Sequence, residues 1–145
     1  MTKICFVCLG NICRSPMAEF VMKDLVKDEA GIEVVSRATS SWEHGNPIHA
    51  GTQKILRQYG IPFDVNKTSQ QVSLADLADF DVIFAMDQQN LADLRALSAG
   101  QFDDKIQLLV EDGVPDPWYT GDFEETYRLV KGACQKWLRK QGMKE

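Results

Sequence analysis

The sequence predicts an α/β domain in three layers, a four-stranded parallel sheet with helices on both faces. Short apolar runs at 3–7, 32–38, 82–86 and 106–110 alternate with segments whose apolar residues recur at helical spacing. Strands alternating with helices build parallel sheets through right-handed crossovers. Each run also stops at polar residues able to do chemistry: Cys8, the segment 39–41, Asp87 and Asp116. Ligands bind beyond the carboxyl ends of the strands in such sheets, so four distant loops are expected to meet on one edge. Periodicity alone leaves the order of the strands open.

Residues 3–7 form the first strand, and residues 15 to about 28 the helix behind it. Pro16 is tolerated there, because first-turn N–H groups lack helical acceptors anyway. Met17, Ala18, Val21, Met22 and Leu25 share one face of that helix, a core face. Gly31 ends it, and residues 32–38 make the second strand. The loop that follows carries Trp42, which either walls a cleft or pins the loop. Asn46-Pro47 reads as a cap followed by a first-turn proline, opening a helix with Ile55, Leu56 and Tyr59 on one face. Residues 61–71 are irregular, and Ser73 to Asp76 has the pattern of a capping box. Asp87 caps the helix after the third strand, and residues 111–121 form a loop after the fourth. Asp122 caps the final helix, with Phe123, Tyr127, Val130, Cys134 and Trp137 facing inward. Residues 143–145 look frayed.

Composition narrows the functions. With 145 residues, 44% hydrophobic and 26% charged, the chain reads as one domain, 1–145, large enough to bury a core. A net charge of −5 without a basic stripe argues against nucleic-acid binding. No apolar run approaches the ~20 residues that span a bilayer, and no signal-peptide pattern is present, so no membrane and a cytoplasmic address are expected. A reducing compartment keeps Cys5, Cys8, Cys13 and Cys134 as thiols. Cys5 and Cys8 have C-x-x-C spacing but no second pair, and Cys5 belongs to the strand. No metal and no cofactor are expected.

Eight residues carry the chemistry: Cys8, Leu9, Gly10, Asn11, Ile12, Cys13, Arg14 and Ser15. A strand, a Gly/Asn loop and a helix start make an anion cradle, in which backbone N–H groups converge and the helix adds about half a positive charge. Arg14 is the only charged residue between Ile4 and Ala18. A helix N-terminus beside a guanidinium favours thiolate over thiol, and the Ser15 hydroxyl can add a hydrogen bond to the sulfur. Arg14 offers paired planar donors for two oxygens of a phosphoryl group. A nucleophile below a phosphate, with donors around it, describes phosphoryl transfer to cysteine.

The leaving oxygen must then be protonated, and a carboxylic acid on a loop above the pocket does this. Asp116, stiffened by Pro115 and Pro117 and followed by Trp118 and Tyr119, fits. It must be protonated for the first step and ionised to activate water in the second, so an optimum below neutrality is expected. His44 and His49 are the only histidines, and this mechanism needs neither.

From Val7 through Pro16, and again at Asp116-Pro117-Trp118-Tyr119, the chain resembles the low-molecular-weight protein tyrosine phosphatases, over essentially all 145 residues. The resemblance implies a flavodoxin-like sheet of order 2-1-3-4, a phosphocysteine on Cys8, phosphate bound by Arg14, and Asp116 as general acid and base. It implies that Asn11 holds strained loop backbone and organises Ser15, and that Leu9, Gly10, Asn11, Ile12, Cys13 and Ser15 line or support the phosphate site. Cys13 becomes the partner of Cys8 in a reversible disulfide, and Trp118 a ring-stacking wall. The apolar and aromatic residues Leu9, Ile12, Trp42, Trp118 and Tyr119 are the candidate substrate walls. Asp87 matches an aspartate that positions polar neighbours. The segment 64–71 departs from the family, with no basic residue beyond Lys67, which leaves the support around Asp87 open. The expected partners are phosphotyrosine-containing proteins, with a tyrosine kinase as a candidate, and phosphate or sulfate as a bound anion.

Three other functions compete. Arsenate reductases with this loop relay electrons through further cysteines, and residues 80–94 contain none. Protein arginine phosphatases of this fold carry Thr at the position of Ile12, whose side chain offers a guanidinium no acceptor. A non-catalytic phosphotyrosine-binding module has no use for both Cys8 and Asp116.

Overall fold

The computed structural model describes residues 2–143, and its central strand is the one that ends at Cys8. That strand, β1 (Thr2–Cys8), lies between β2 (Ile32–Ala38) and β3 (Val82–Ala85), with β4 (Ile106–Leu108) beyond β3. All three pairings are parallel, in the order β2-β1-β3-β4. The register pairs Cys8 with Ala38, Val7 with Ala85 and Ala85 with Leu108. All four strands therefore end together, and their outgoing loops share one edge.

Alternation along β1 divides the core. Ile4, Phe6 and Cys8 belong to one apolar cluster, Cys5 and Val7 to the other. The first cluster is completed by α1 (Arg14–Leu25), α2 (Ala50–Gln58) and α6 (Phe123–Lys140). The second is completed by α3 (Leu74–Asp79) and α4 (Gln88–Ser98). Within the first cluster the rings of Phe6 and Phe84, paired across β1 and β3, stack at 5.3 Å. Helix α1 is buried from Arg14 through Met22, a wider buried surface than one apolar stripe implies, and it takes Glu19 inside with it.

Several boundaries differ from expectation. Strand β4 stops at Leu108, two residues short of the expected 110. Helix α1 stops at Leu25, three residues early, where Val26 and the turn after it lead to Gly31 at φ 80°. Helix α2 starts at Ala50 rather than at Asn46-Pro47. Asn46 instead turns its amide back to Glu43 at 2.6 Å, while its carbonyl accepts from the Ser69 N–H at 2.8 Å. The cap is His49, whose Nδ1 accepts from the Gly51 N–H at 2.9 Å. A Cβ on Gly51 would meet the Phe123 ring at 2.5 Å, so glycine lets α2 approach α6. Within the expected loop 111–121 lies a short helix, α5 (Pro117–Thr120), capped by Asp116 and closed by Gly121 at φ 74°. Met143 donates to the Leu138 carbonyl and packs on the core, so it is not frayed; residues 144 and 145 lie outside the described residues. Ser73 and Asp76 form the capping box of α3 as expected.

Candidate active site

Cys8 is the last residue of β1, 3% exposed, at the floor of a pocket of about 240 Å³. Leu9, Gly10, Ile12, Cys13 and Arg14 line that pocket from the loop and helix start, and Asp116, Trp118 and Tyr119 from the segment after β4. Trp42 and Glu43 come from the loop after β2. Three of the four converging segments thus meet in one cavity, and Asp87, from the fourth, reaches it through Arg14.

The loop holds the sulfur tightly. The Asn11 N–H donates to Cys8 Sγ at 3.2 Å, and Ser15 Oγ lies 3.0 Å from the same atom. Asn11 adopts φ 56°, a left-handed conformation that Asn tolerates better than most residues. Among the described residues none accepts a hydrogen bond from the N–H groups of Gly10, Ile12, Cys13 or Arg14. Donors left without partners beside a thiol are what an anion needs.

Behind the loop, polar side chains form a buried chain with one sense of donation. Glu19 Oε1 accepts from Ser36 Oγ at 2.6 Å. Because Ser36 has spent its proton, its oxygen accepts from Asn11 Nδ2 at 2.9 Å. The same amide donates to Ser15 Oγ at 2.8 Å, and its Oδ1 accepts from the Gln70 N–H at 3.2 Å. Ser15 is left to turn its own proton outward, and Cys8 Sγ at 3.0 Å is nearer than the Arg37 carbonyl at 3.4 Å. The Glu19 charge is balanced by Lys67 at 3.2 Å and Lys23 at 2.7 Å. Lys67, the one basic residue of the segment 64–71, pairs with Glu19, not with Asp87. Glu19 and Ser36 were not singled out by sequence; the available signal was one carboxylate within the apolar stretch from Met17 to Met22.

Arg14 is 3% exposed and held from the far side of the sheet edge. Its Nη1 donates to Asp87 Oδ2 at 2.7 Å and to the Val114 carbonyl at 2.9 Å, and its Nη2 lies 3.6 Å from Asp116 Oδ2. Burial alone would lower the guanidinium pKa, but Cys8, Asp87 and Asp116 together raise it above its ordinary value. Asp87 Oδ1 meanwhile caps α4 by accepting from the Asn90 N–H at 2.8 Å. Asp116 divides its oxygens in the same way: Oδ1 accepts from the Trp118 N–H at 3.0 Å, so Oδ2 faces Arg14 and the pocket. Cys13 is buried beside these anions, and burial first, then Cys8 and Asp116, push its thiol up to about 12.

Trp42, Trp118 and Tyr119 stand 77%, 57% and 79% exposed, a rim with area still to bury. Glu43 shares this rim and escaped the sequence reading, because nothing in a loop sequence marks a carboxylate that leans over Gly10. His44 and His49 do not line the pocket. His49 stacks on Phe123 at 5.0 Å and meets the edge of Trp118 at 5.7 Å, so it buttresses the rim from behind. Cys5 and Cys134 are buried, and burial raises both thiols.

The profile of the family described as low molecular weight phosphotyrosine protein phosphatase matches residues 3–145. The Bacillus subtilis low molecular weight protein-tyrosine-phosphatase YfkJ is 47% identical, over 95% of this chain and 94% of its own. The crystal structure of the Streptococcus pyogenes enzyme SP-PTP superposes with a TM-score of 0.93 at 58% identity, covering 97% of this chain and 93% of that one. A drosophila arginine phosphatase, DARP, superposes with a TM-score of 0.90 at 33% identity, covering 99% and 100%. With a family profile running from residue 3 to 145 and a relative 47% identical over 95% of the chain, the chain belongs to the low molecular weight phosphotyrosine protein phosphatase family.

Proposed function

We propose that this protein hydrolyses phosphotyrosine in proteins, and small aryl phosphates, through a phosphocysteine on Cys8. The observation that carries the reading is one pocket holding the Cys8 sulfur, unpartnered loop N–H groups, Arg14 and the Asp116 carboxyl.

The phosphoryl group sits above Cys8, its equatorial oxygens on the loop N–H groups and on the Nε and Nη2 edge of Arg14. Cys8 thiolate attacks phosphorus in line, the S–P bond forms as the P–O bond breaks, and Asp116 gives its proton to the departing phenoxide. That proton resides on Oδ2, since Oδ1 accepts from the Trp118 N–H. Asp116, now ionised, takes a proton from water, whose oxygen attacks phosphorus and returns the electron pair to sulfur. Ser15 stabilises the sulfur in both steps through the donor chain behind it. A phenyl ring fills the space between Ile12, Trp42, Trp118 and Tyr119 and lifts the ester oxygen to Asp116, which the short stem of phosphoserine does not.

Residues 1–145 act as one phosphatase domain on phosphoproteins in the cytoplasm. Among the described residues no helix is long and apolar enough to cross a membrane. Cys8 and Cys13 form the redox pair.

Steady-state hydrolysis of phosphotyrosine, phosphoserine and phosphoarginine peptides tests the reading, with Cys8→Ser as control. Phosphotyrosine is expected to lead by at least about tenfold in kcat/KM, equivalent to ~1.4 kcal/mol. Acid quench during turnover should add one phosphoryl group to the peptide containing Cys8. Full turnover by Cys8→Ser, or equal efficiency on phosphoarginine, overturns it.

A further inference from the structure

Glu43 is out of place for a pocket that binds a dianion. It lines the same cavity as Cys8 and Arg14, and its charge opposes the phosphate that the loop attracts. Its position is nonetheless secured. A Cβ on Gly10 would come within 3.3 Å of Glu43 Cγ, so the Glu43 side chain packs against the phosphate loop at Gly10. Asn46 Nδ2 holds Oε2 at 2.6 Å, and among the described residues no cation pairs with Glu43. Among the described residues Arg14 is the only cation lining the pocket, and Asp87 and Asp116 engage it. Beside Glu43 stands Trp42, its indole 77% exposed. A fixed carboxylate next to an open indole is the pair that recognises a guanidinium, which forks onto the one and stacks on the other.

Resting on the phosphotyrosine reading above, we infer that Trp42 and Glu43 form a subsite for an arginine side chain flanking the phosphotyrosine of the substrate. The phosphate loop discriminates among esters poorly because all share the phosphate, so sequence preference has to come from the rim. The rim's charge is negative, which attracts a basic neighbour and repels an acidic one.

The experiment uses phosphotyrosine peptides carrying Arg, Lys, Gln or Glu at each position within two residues of the phosphotyrosine, with the whole protein. At the favoured position, kcat/KM is expected to follow Arg, then Lys, then Gln, then Glu. Arg should exceed Gln by about threefold to fivefold at low salt, as for an exposed ion pair, with the ratio falling at high salt. Glu43→Gln should bring the Arg-to-Gln ratio to about one, whatever its absolute rates. Trp42→Ala should keep the preference for cations but erase that of Arg over Lys. Equal kcat/KM for the Arg, Gln and Glu peptides at every position overturns the subsite while leaving phosphotyrosine hydrolysis intact. An unchanged ratio in Glu43→Gln overturns its assignment to Glu43. Loss of all phosphotyrosine turnover alongside rapid phosphoarginine hydrolysis would instead overturn the underlying function.

Discussion

The segments on either side of the pocket are built to opposite standards. Of residues 8–15 all but Leu9 and Gly10 are buried, around a sulfur with two polar contacts, and each side chain behind it has its donors assigned as far back as Glu19. The segment from Asp116 to Gly121 is one short helix turn whose aromatics stand in solvent. The loop must meet the same phosphate every time, so rigidity there stabilises the transition state without reorganisation. The acid segment must meet a leaving group attached to a protein, so it keeps one fixed oxygen, one free oxygen and open walls. Disturbing the first should harm all substrates alike, and disturbing the second should harm them selectively.

Asp116→Asn is expected to give the largest and most selective loss. Phosphotyrosine, whose phenoxide needs a proton, should slow by ~10²–10⁴-fold, while an activated nitrophenyl phosphate leaves nearly unaided. Rates across a series of aryl phosphates should fall more steeply with leaving-group basicity than in wild type; parallel lines would make Asp116 structural. Asn11→Gly tests the other side. Glycine accepts φ 56° without strain, so the variant removes the amide and keeps the backbone. It leaves Ser15 and Ser36 short of a donor, and a loss of about 10–100-fold, uniform across the same aryl series, is expected.

Oxidation sharpens the contrast within the loop itself. Cys13, held near 12, is a thiol at neutral pH, so peroxide is expected to attack first at Cys8, which sits on the pocket floor. Reversible inactivation is expected in wild type, and Cys13→Ser should recover less activity on addition of thiol; equal recovery removes the protective role. The smallest effect is on stability. The raised thiols of Cys5, Cys13 and Cys134 lose protons more readily in the unfolded chain than in the folded one. Their contribution is complete below the ordinary value of 9.0 and declines as pH rises from there towards 12. Each thiol takes away at most about 1.4 kcal/mol per pH unit in that window. Urea unfolding between about pH 8 and pH 10 should show the decline, and Cys134→Ala should flatten it.

The sheet and the nucleophile loop were legible because they rest on local signals: apolar runs, a Gly/Asn turn, an arginine isolated from other charge. The capping box at Ser73 and the cap at Asp87 were legible for the same reason. Strand order came only with the family resemblance, since four apolar runs are equivalent until their neighbours are known. The start of α2 was misread because the cap pattern at Asn46 was genuine, but tertiary pairing with Ser69 and Glu43 outcompeted it. Helix α5 carried an Asp cap, a first-turn proline and a closing glycine in plain order, and was overlooked for being four residues long. Glu19 showed only as one carboxylate in an apolar stretch, and the roles of Lys67 and Glu43 were beyond reach, because each depends on residues far away in sequence.

Arg14 is positioned by Asp87 and by the carbonyl of Val114, one hundred residues along the chain. An N-terminal fragment that already contains Cys8 and the whole loop therefore cannot present a correctly aimed guanidinium. During synthesis the thiol emerges long before its partners, and the chemistry is withheld until β4 and the segment after it have joined the sheet. Turnover thus reports that the chain has finished folding, and a ribosome-bound nascent chain would stay silent towards aryl phosphates until Val114 has cleared the exit tunnel.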